Sequence, residues 1–120
     1  MRKEIGTFTV TVPAGATLPL TPPQESTDWK HVGIQLDVIE NRGAAGDLKF
    51  SLATAVDKDE YPLWAPLPGE EDLPADTGDS VFQEWSAGFR CWFVVQVRND
   101  TAGAIKATFR ATALYKERTT

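Results

Sequence analysis

Few side chains in this sequence have the type and spacing that covalent chemistry requires. A hydrolytic triad needs a general base beside its nucleophile, and the sequence holds a single histidine, His31. Neither Ser51 nor Ser80 lies in a Gly-x-Ser-x-Gly context. Glycoside hydrolysis needs two carboxylates facing each other across a cleft, whereas the acids here cluster in one segment. We therefore expect a protein that is not an enzyme.

Metal ligands are equally scarce. Transition-metal sites use several His and Cys ligands, and this chain has one of each, His31 and Cys91. Calcium needs only oxygen ligands, and residues 57–60 and 70–72 supply carboxylates. Neither run has the spacing or the turn glycine of an EF-hand loop, and no glycine-rich phosphate loop is present. We expect no resident metal or cofactor, and a weak calcium site stays open.

Charge and composition narrow the classes of partner. The 120 residues carry a net charge of −5, which argues against general binding of nucleic acid. A lone cysteine excludes an internal disulfide and is typical of a reducing compartment. The N-terminus lacks an apolar signal core, and no apolar run reaches the roughly 18 residues of a membrane span. We expect neither a nucleic-acid nor a membrane partner.

Any binding residues must be positioned by strands, because apolar and polar side chains alternate with a period of two. The alternating stretches are residues 7–12, 31–38, 47–56, 89–98 and 105–115, with a shorter one at 81–85. Residues 16–20 belong on an edge, since Pro19 lacks a ladder donor. Short strands with Gly and Pro turns predict an all-β, two-sheet antiparallel β-sandwich of the jelly-roll kind, formed by a single domain over residues 1–120. The predicted core is Phe8, Val10, Ile34, Leu36, Phe50, Leu52, Phe93, Val95 and Phe109.

Two oppositely charged segments supply the candidate interaction residues. Between residues 57 and 84 there are nine acids and one base, and the proline-rich stretch 57–79 predicts one long, stiff, acidic loop. The turn residues at 99–103 predict that 89–98 and 105–115 form a hairpin whose outward side chains gather into one basic patch with an apolar centre. The predicted partner-binding residues are Trp64, Trp92, Val94, Arg90, Arg98, Lys106, Arg110, Glu70, Glu71 and Asp72.

The acidic loop has three interpretations from sequence. It covers the sheet of its own chain, or it docks on another molecule, or it is disordered. Docking between copies would join them head to tail, and such contacts close into rings. We predict a homotrimer, or a similar small cyclic oligomer, with Trp64 or Trp92 at the contact.

The order of parts resembles a known family. A strand ends in Val-Pro-Ala-Gly-Ala-Thr at residues 12–17, and the segments 92–103 and 105–115 close the chain. This pattern resembles small jelly-roll proteins of tailed bacteriophages, namely capsid decoration (cement) proteins and related virion accessory proteins. The resemblance implies a non-enzymatic virion protein, made in the cytoplasm of a bacterial host, that forms trimers on a major capsid or other virion protein. It carries over no functional residue. A chain from Met1 to just past the last strand is typical of a complete small protein.

The tryptophans leave a second function open. Sugars stack on exposed aromatic rings, and β-sandwiches often serve as carbohydrate modules. The four tryptophans are Trp29, Trp64, Trp85 and Trp92. If they are exposed on one surface, the chain is a carbohydrate- or other ligand-binding module, and if they pack in the core they stabilise the fold. If the chain is not part of a virion, the bacterial cytoplasm is the expected location.

Overall fold

Strands make up all the regular structure in the described part of the chain. The structure is a computed structural model that describes residues 1–26, 29–55, 65–85 and 92–117. The strands are β1 (Arg2–Val12), β2 (Thr17–Pro19), β3 (Gln24–Glu25), β4 (Trp29–Asn41), β5 (Leu48–Ala55), β6 (Ala65–Pro66), β7 (Glu71–Asp72), β8 (Ser80–Trp85), β9 (Trp92–Asn99) and β10 (Ile105–Glu117). Across these residues no helix has the length and apolar character needed to cross a membrane.

The strands form two antiparallel sheets that face each other. Sheet 1 has the order β1-β10-β4-β8. Sheet 2 has the order β2-β9-β5-β6, with β3 also pairing with β9 and β7 also pairing with β5. The predicted all-β sandwich is therefore confirmed. So is the edge position of the strand that contains Pro19.

The core lies between the inner faces of the two sheets. Phe50, Phe93 and Phe109 are fully buried there. Trp29 stacks on Tyr115 with ring centroids 4.0 Å apart, and Trp85 meets Phe50 edge to face at 6.2 Å. Large rings from both sheets thus fill one apolar layer, as alternation in the sequence predicts.

The predicted core is less deeply buried at one strand than elsewhere. Phe8 and Val10 point inward from β1, as predicted, but both are only half-buried. The reason is that β1 is an edge strand, bonded to β10 on one side alone. Period-two alternation shows which face a side chain is on and does not show how far its strand lies from the sheet's centre.

The predicted closing hairpin is wrong. β9 lies in sheet 2 and β10 in sheet 1, so the residues between them cross from one sheet to the other. Asn99 anchors the crossing: it is fully buried, and its Nδ2 donates to the carbonyl oxygens of Val12 at 2.9 Å and Gly103 at 2.7 Å. Its Oδ1 accepts the backbone N–H of Thr101 at 2.9 Å. The turn predicted at residues 99–103 is present, but it connects strands of two different sheets.

The acidic segment is not a free loop where the structure describes it. Residues 56–64 lie outside the described parts, and from Ala65 onward the segment returns to sheet 2. The N–H of Leu67 donates to Leu52 O and the N–H of Leu73 to Leu48 O, both at 2.8 Å, and Leu73 is fully buried. Of the three interpretations, residues 65–79 follow the one in which the segment covers its own chain.

Candidate interaction surfaces

The structure divides the predicted partner-binding residues between opposite faces of the sandwich. Trp92, Val94 and Arg98 project from the outer face of sheet 2. Lys106 and Arg110 project from the outer face of sheet 1. The single basic patch expected from a hairpin does not form, because the crossover after Asn99 places the two strands in different sheets. Trp64 and Arg90 lie outside the described residues.

The acidic segment neutralises the basic side chains of the sheet 2 outer face within the chain. Arg98 donates to Glu70 as a two-pronged fork, from Nε at 3.0 Å and from Nη2 at 2.7 Å. Asp72 forms an ion pair with Lys49, its partner across β7 and β5. The hydrogen bond from Arg98 lowers the pKa of Glu70, and the hydrogen bond to Asp72 raises the pKa of Lys49. Glu71, between these two acids, is exposed.

The apolar part of the same face is already covered. Val94 points outward from β9, yet it is 1% exposed in the isolated chain. It packs with Ala53 and Ala55 of β5, and Trp92 is half-buried against these three side chains. Val94 was predicted to supply, with Trp92, the apolar centre of a contact, and in this structure its side chain is instead covered by neighbours within its own chain.

Two of the four tryptophans are structural. Trp29 and Trp85 are both buried in the core. The indole N–H of Trp85 donates to the carbonyl of Pro68 at 2.9 Å, which ties the returning segment to β8. Of the three tryptophans in the described residues, Trp92 is thus the one that is only half-buried.

On the outer face of sheet 1, a carboxylate organises the centre of the surface. The Asp37 side chain is 12% exposed and receives hydrogen bonds from Ser80, Gln35 and Arg110. Burial acts to raise its pKa, but the three hydrogen bonds and the positive charge of Arg110 outweigh burial, so the pKa of Asp37 lies below its ordinary value. Arg110, a predicted partner-binding residue, is therefore engaged within its own chain.

An apolar groove opens at one end of this face. Phe82 and Leu114 point outward with exposed fractions of 41% and 39%. Between them lies Gly33, where an added Cβ would come within 2.3 Å of the Phe82 ring. A side chain at that position would displace the ring, so glycine is what lets Phe82 lie flat on the strand. The groove has a volume of about 420 Å³.

Charged side chains of both signs surround the groove. Arg2 and Lys116 line it on the side of β1 and β10, and Glu84 lines it on the side of β8. His31 Nε2 lies 3.6 Å from Glu84 Oε1. An exposed apolar centre with a charged rim has the composition of a protein-binding patch. Within residues 1–26, 29–55, 65–85 and 92–117, no group of three or more His, Cys, Asp or Glu side chains is placed to hold a metal ion.

Sequence reasoning missed Phe82 and Leu114. The signal was available, since both are large apolar residues at positions whose alternation points to solvent. In the last strand Lys106, Thr108, Arg110 and Thr112 share one parity of the alternation, which faces solvent, and Leu114 continues that series. An apolar residue within a polar outward series is the informative exception on a protein surface.

Known proteins resemble this chain in fold. The sequence matches no protein-family model and no curated protein sequence. A solved structure described as Bacillus endospore appendages that form disulfide-linked pili is 16% identical, covers 98% of this chain and 88% of its own, and has a TM-score of 0.56. A Clostridium thermocellum xylanase 10B structure with its CBM22-1 and GH10 modules and xylohexaose is 12% identical, covers 96% of this chain and 26% of its own, and has a TM-score of 0.52.

A third likeness is the CBM22-1 xylan-binding domain of Paenibacillus barcinonensis Xyn10C. It is 10% identical, covers 98% of this chain and 97% of its own, and has a TM-score of 0.48. At such identities a structural likeness indicates the fold and does not carry function with it. The comparisons thus show that the chain is a jelly-roll-like β-sandwich, an architecture used both by pilus subunits and by carbohydrate-binding modules.

Proposed function

We propose that this chain is a non-enzymatic structural protein of a virion, a decoration protein that attaches in many copies to the capsid of a tailed phage. Its partner is the major capsid protein, or another virion protein, and its copies associate as a homotrimer or a similar small cyclic oligomer. The observation that carries the proposal is the groove of Phe82 and Leu114 on the outer face of sheet 1.

The groove favours a protein partner because of how its parts are arranged. Affinity in protein interfaces comes from a few large apolar anchors in a desolvated centre, and charges at the rim steer and select the partner. Phe82 and Leu114 supply the anchors, while Arg2, Lys116 and Glu84 supply a rim of both signs. On the outer face of sheet 2, by contrast, Glu70 and Asp72 already engage the basic side chains.

Binding to capsids tests the proposal. The purified chain is sedimented with capsids, stripped of accessory proteins, of the tailed phage that encodes it. We expect binding that saturates at a fixed copy number per capsid. Phe82→Lys and Leu114→Lys should each lower the affinity at least about tenfold, since each places a charge in the desolvated centre of the contact.

A matched control lies on the same sheet. Ile39 of β4 is 45% exposed and does not line the groove, so Ile39→Lys adds the same charge to the same face and should bind capsids like the unmodified chain. Absence of capsid binding would contradict the decoration function. Equal losses from Phe82→Lys and Ile39→Lys would contradict the assignment of the groove.

Carbohydrate binding is the second candidate, and Trp92 is the observation that favours it. Trp92 is half-buried on the outer face of sheet 2, the face from which a tryptophan could stack on a sugar. Insoluble xylan and cellulose serve as probes, with intrinsic tryptophan fluorescence as the readout. A fluorescence shift with either polysaccharide that Trp92→Ala abolishes would replace the virion proposal with the carbohydrate one.

A further inference from the structure

The two lateral sides of the sandwich are built differently. On one side the segment after β6 passes from sheet 2 to sheet 1, and the Trp85 indole is bonded to Pro68 across the gap. On the other side, β1 of sheet 1 and β2 of sheet 2 are both edge strands. There the inward side chains Ile5, Phe8, Val10 and Leu18 pack against the core and are only half-buried. We call the side of β1 and β2 the open side, because in the described residues no strand continues either sheet beyond them.

The backbone of β1 is also unpaired along this open side. Met1 and Tyr115 exchange both of their backbone hydrogen bonds, at 2.7 and 2.8 Å. Following the register from this pair, Phe8, Val10 and Val12 face β10 with their backbone groups. In an antiparallel ladder the backbone groups of alternate residues point away from the partner strand. The N–H and C=O groups of Thr7, Thr9 and Thr11 therefore point away from β10 and lie on the free edge. No strand in the described residues pairs with that edge.

Only half of this edge carries features that prevent pairing. Natural sheets blunt exposed edges with charged side chains and bulges. Arg2, Lys3 and Glu4 are charged, and the register shifts between Glu4 and Gly6. From Thr7 to Val12 the strand has no charge, no proline and no bulge. A six-residue stretch of uncharged edge therefore remains open for another strand.

We propose that this edge pairs with β1 of a second copy of the chain, antiparallel about a twofold axis at Thr9. Thr9 then faces Thr9 of the second copy, and Thr7 faces its Thr11. In this register the three threonines whose backbone groups lie on the free edge pair with one another. Each threonine pair is therefore a hydrogen-bonded pair. A shift of one residue towards the N-terminus pairs Thr11 with Ile5 beside the bulge, and a shift towards the C-terminus pairs Thr7 with Pro13, which has no N–H.

The same register matches the side chains on both faces. Phe8 falls opposite Val10 on the inner face, an aromatic and β-branched pair of the kind that stabilises antiparallel strands. On the outer face the threonines form a ladder, which continues the hydroxyl bond between Thr9 and Thr108 at 2.8 Å. The sheets of the two copies become one, and the half-buried side chains of the open side are covered. A second copy fits because the edge is complementary to itself about Thr9.

This twofold contact goes beyond the proposed function. It makes the small cyclic oligomer a dimer in place of the homotrimer, and the paired residues 7–11 are not among those that line the groove of Phe82 and Leu114. Failure to bind capsids would leave the dimer untouched, and a monomeric chain could still bind capsids.

Sedimentation equilibrium of the full chain tests the contact. We expect a mass approaching twice the 13.2 kDa of one chain. Thr9→Pro removes the donor at the centre of the interface, while the bonds of β1 to β10 stay intact because the Thr9 N–H does not take part in them. The mass should fall to that of a monomer. Thr9→Val keeps this donor and loses only the hydroxyl, so it should remain a dimer.

Charge exchange tests the register without a proline. In Thr9→Lys and Thr9→Glu, two like charges meet at the axis, and each variant should be monomeric with an unchanged circular dichroism spectrum. Mixed one to one, the two variants should recover the dimer mass. The same exchange at Ile39, on inner strand β4, should leave the dimer unaffected. A monomeric unmodified chain, or a dimer that survives both Thr9→Pro and Thr9→Lys, would overturn the proposal.

Discussion

The two outer faces of this sandwich use their charged side chains in different ways. On sheet 2, half-exposed ion pairs attach a returning segment to the strands: Arg98 holds Glu70, and Lys49 holds Asp72. On sheet 1, one nearly buried carboxylate, Asp37, collects donors from its own strand and from both neighbouring strands. Among the residues that the structure describes, the second face is also the one with large apolar side chains exposed on its strands, at Phe82, Leu114 and Ile39.

This difference separates intrachain contacts from candidate intermolecular ones. Opposite charges in two segments predict that the segments attract each other. An ion pair within one chain forms more readily than one between chains, because it needs no loss of translational freedom. The ion pair between Arg98 and Glu70 of the acidic segment is such a contact within the chain. A surface for a partner is better sought where apolar side chains remain exposed after the chain has satisfied its own charges.

The largest expected effect tests whether the two sheets share one hydrophobic core. Phe93 of sheet 2 and Phe109 of sheet 1 are both fully buried. Phe93→Ala and Phe109→Ala should each lower the free energy of unfolding by about 3–5 kcal/mol, because each leaves a cavity in the same core. Urea denaturation measures both, with exposed Phe82→Ala as the control of smaller effect. If either core variant costs less than about 1 kcal/mol, that sheet does not contribute to a common core.

A smaller effect is expected from the buried carboxylate of sheet 1. Asp37→Asn removes charge-assisted hydrogen bonds and should cost about 1–3 kcal/mol at neutral pH. Because the pKa of Asp37 is lowered in the folded chain, its stabilisation is complete above the ordinary carboxyl pKa and is lost as pH falls through the lowered one. The difference between Asp37→Asn and the unmodified chain should therefore shrink in acid.

The control for this measurement is Asp76→Asn, at an exposed acid before β8. It should change the free energy of unfolding by less than about 0.5 kcal/mol. A loss from Asp37→Asn that does not depend on pH would show that the charge of Asp37 is not what stabilises the face.

The smallest effect is expected on sheet 2. Glu70→Gln breaks the fork with Arg98, whose side chain and that of Glu70 are each 36% exposed. Exposed ion pairs contribute about 0–1 kcal/mol and are screened by salt, so the loss should be small and should diminish as salt is added. Glu71→Gln, at the exposed neighbour, provides the matched change of charge. If Glu70→Gln lowers the free energy of unfolding by more than about 2 kcal/mol at high salt, the ion pairs of the sheet 2 face stabilise the chain as strongly as Asp37 does on sheet 1.

Much of the fold could be predicted because alternation acts residue by residue. Ile34 and Leu36 had to share a face, and that face had to be buried, because side chains in a strand point alternately to its two sides. Pro19 had to lie on an edge, since it cannot donate to a ladder. These predictions depend on local geometry, and the structure confirms them.

The site could not be predicted in the same way. The turn residues after Asn99 are compatible with a hairpin and with a crossover, and the buried Asn99 amide bonded to Val12 selects the crossover. Val12 lies 87 residues away in the sequence, and no local pattern pairs it with Asn99. The separation of Arg98 from Arg110 follows from that crossover, because it places β9 and β10 in different sheets.

By itself, the sequence determined that this chain is a β-sandwich and which side chains point inward, because both depend on composition and on a period of two. The tertiary structure decided which strands are neighbours, which charges are paired within the chain, and which apolar residues and strand edge remain open. Those outcomes depend on contacts between distant residues, and a chain commits to them only when the whole core is packed.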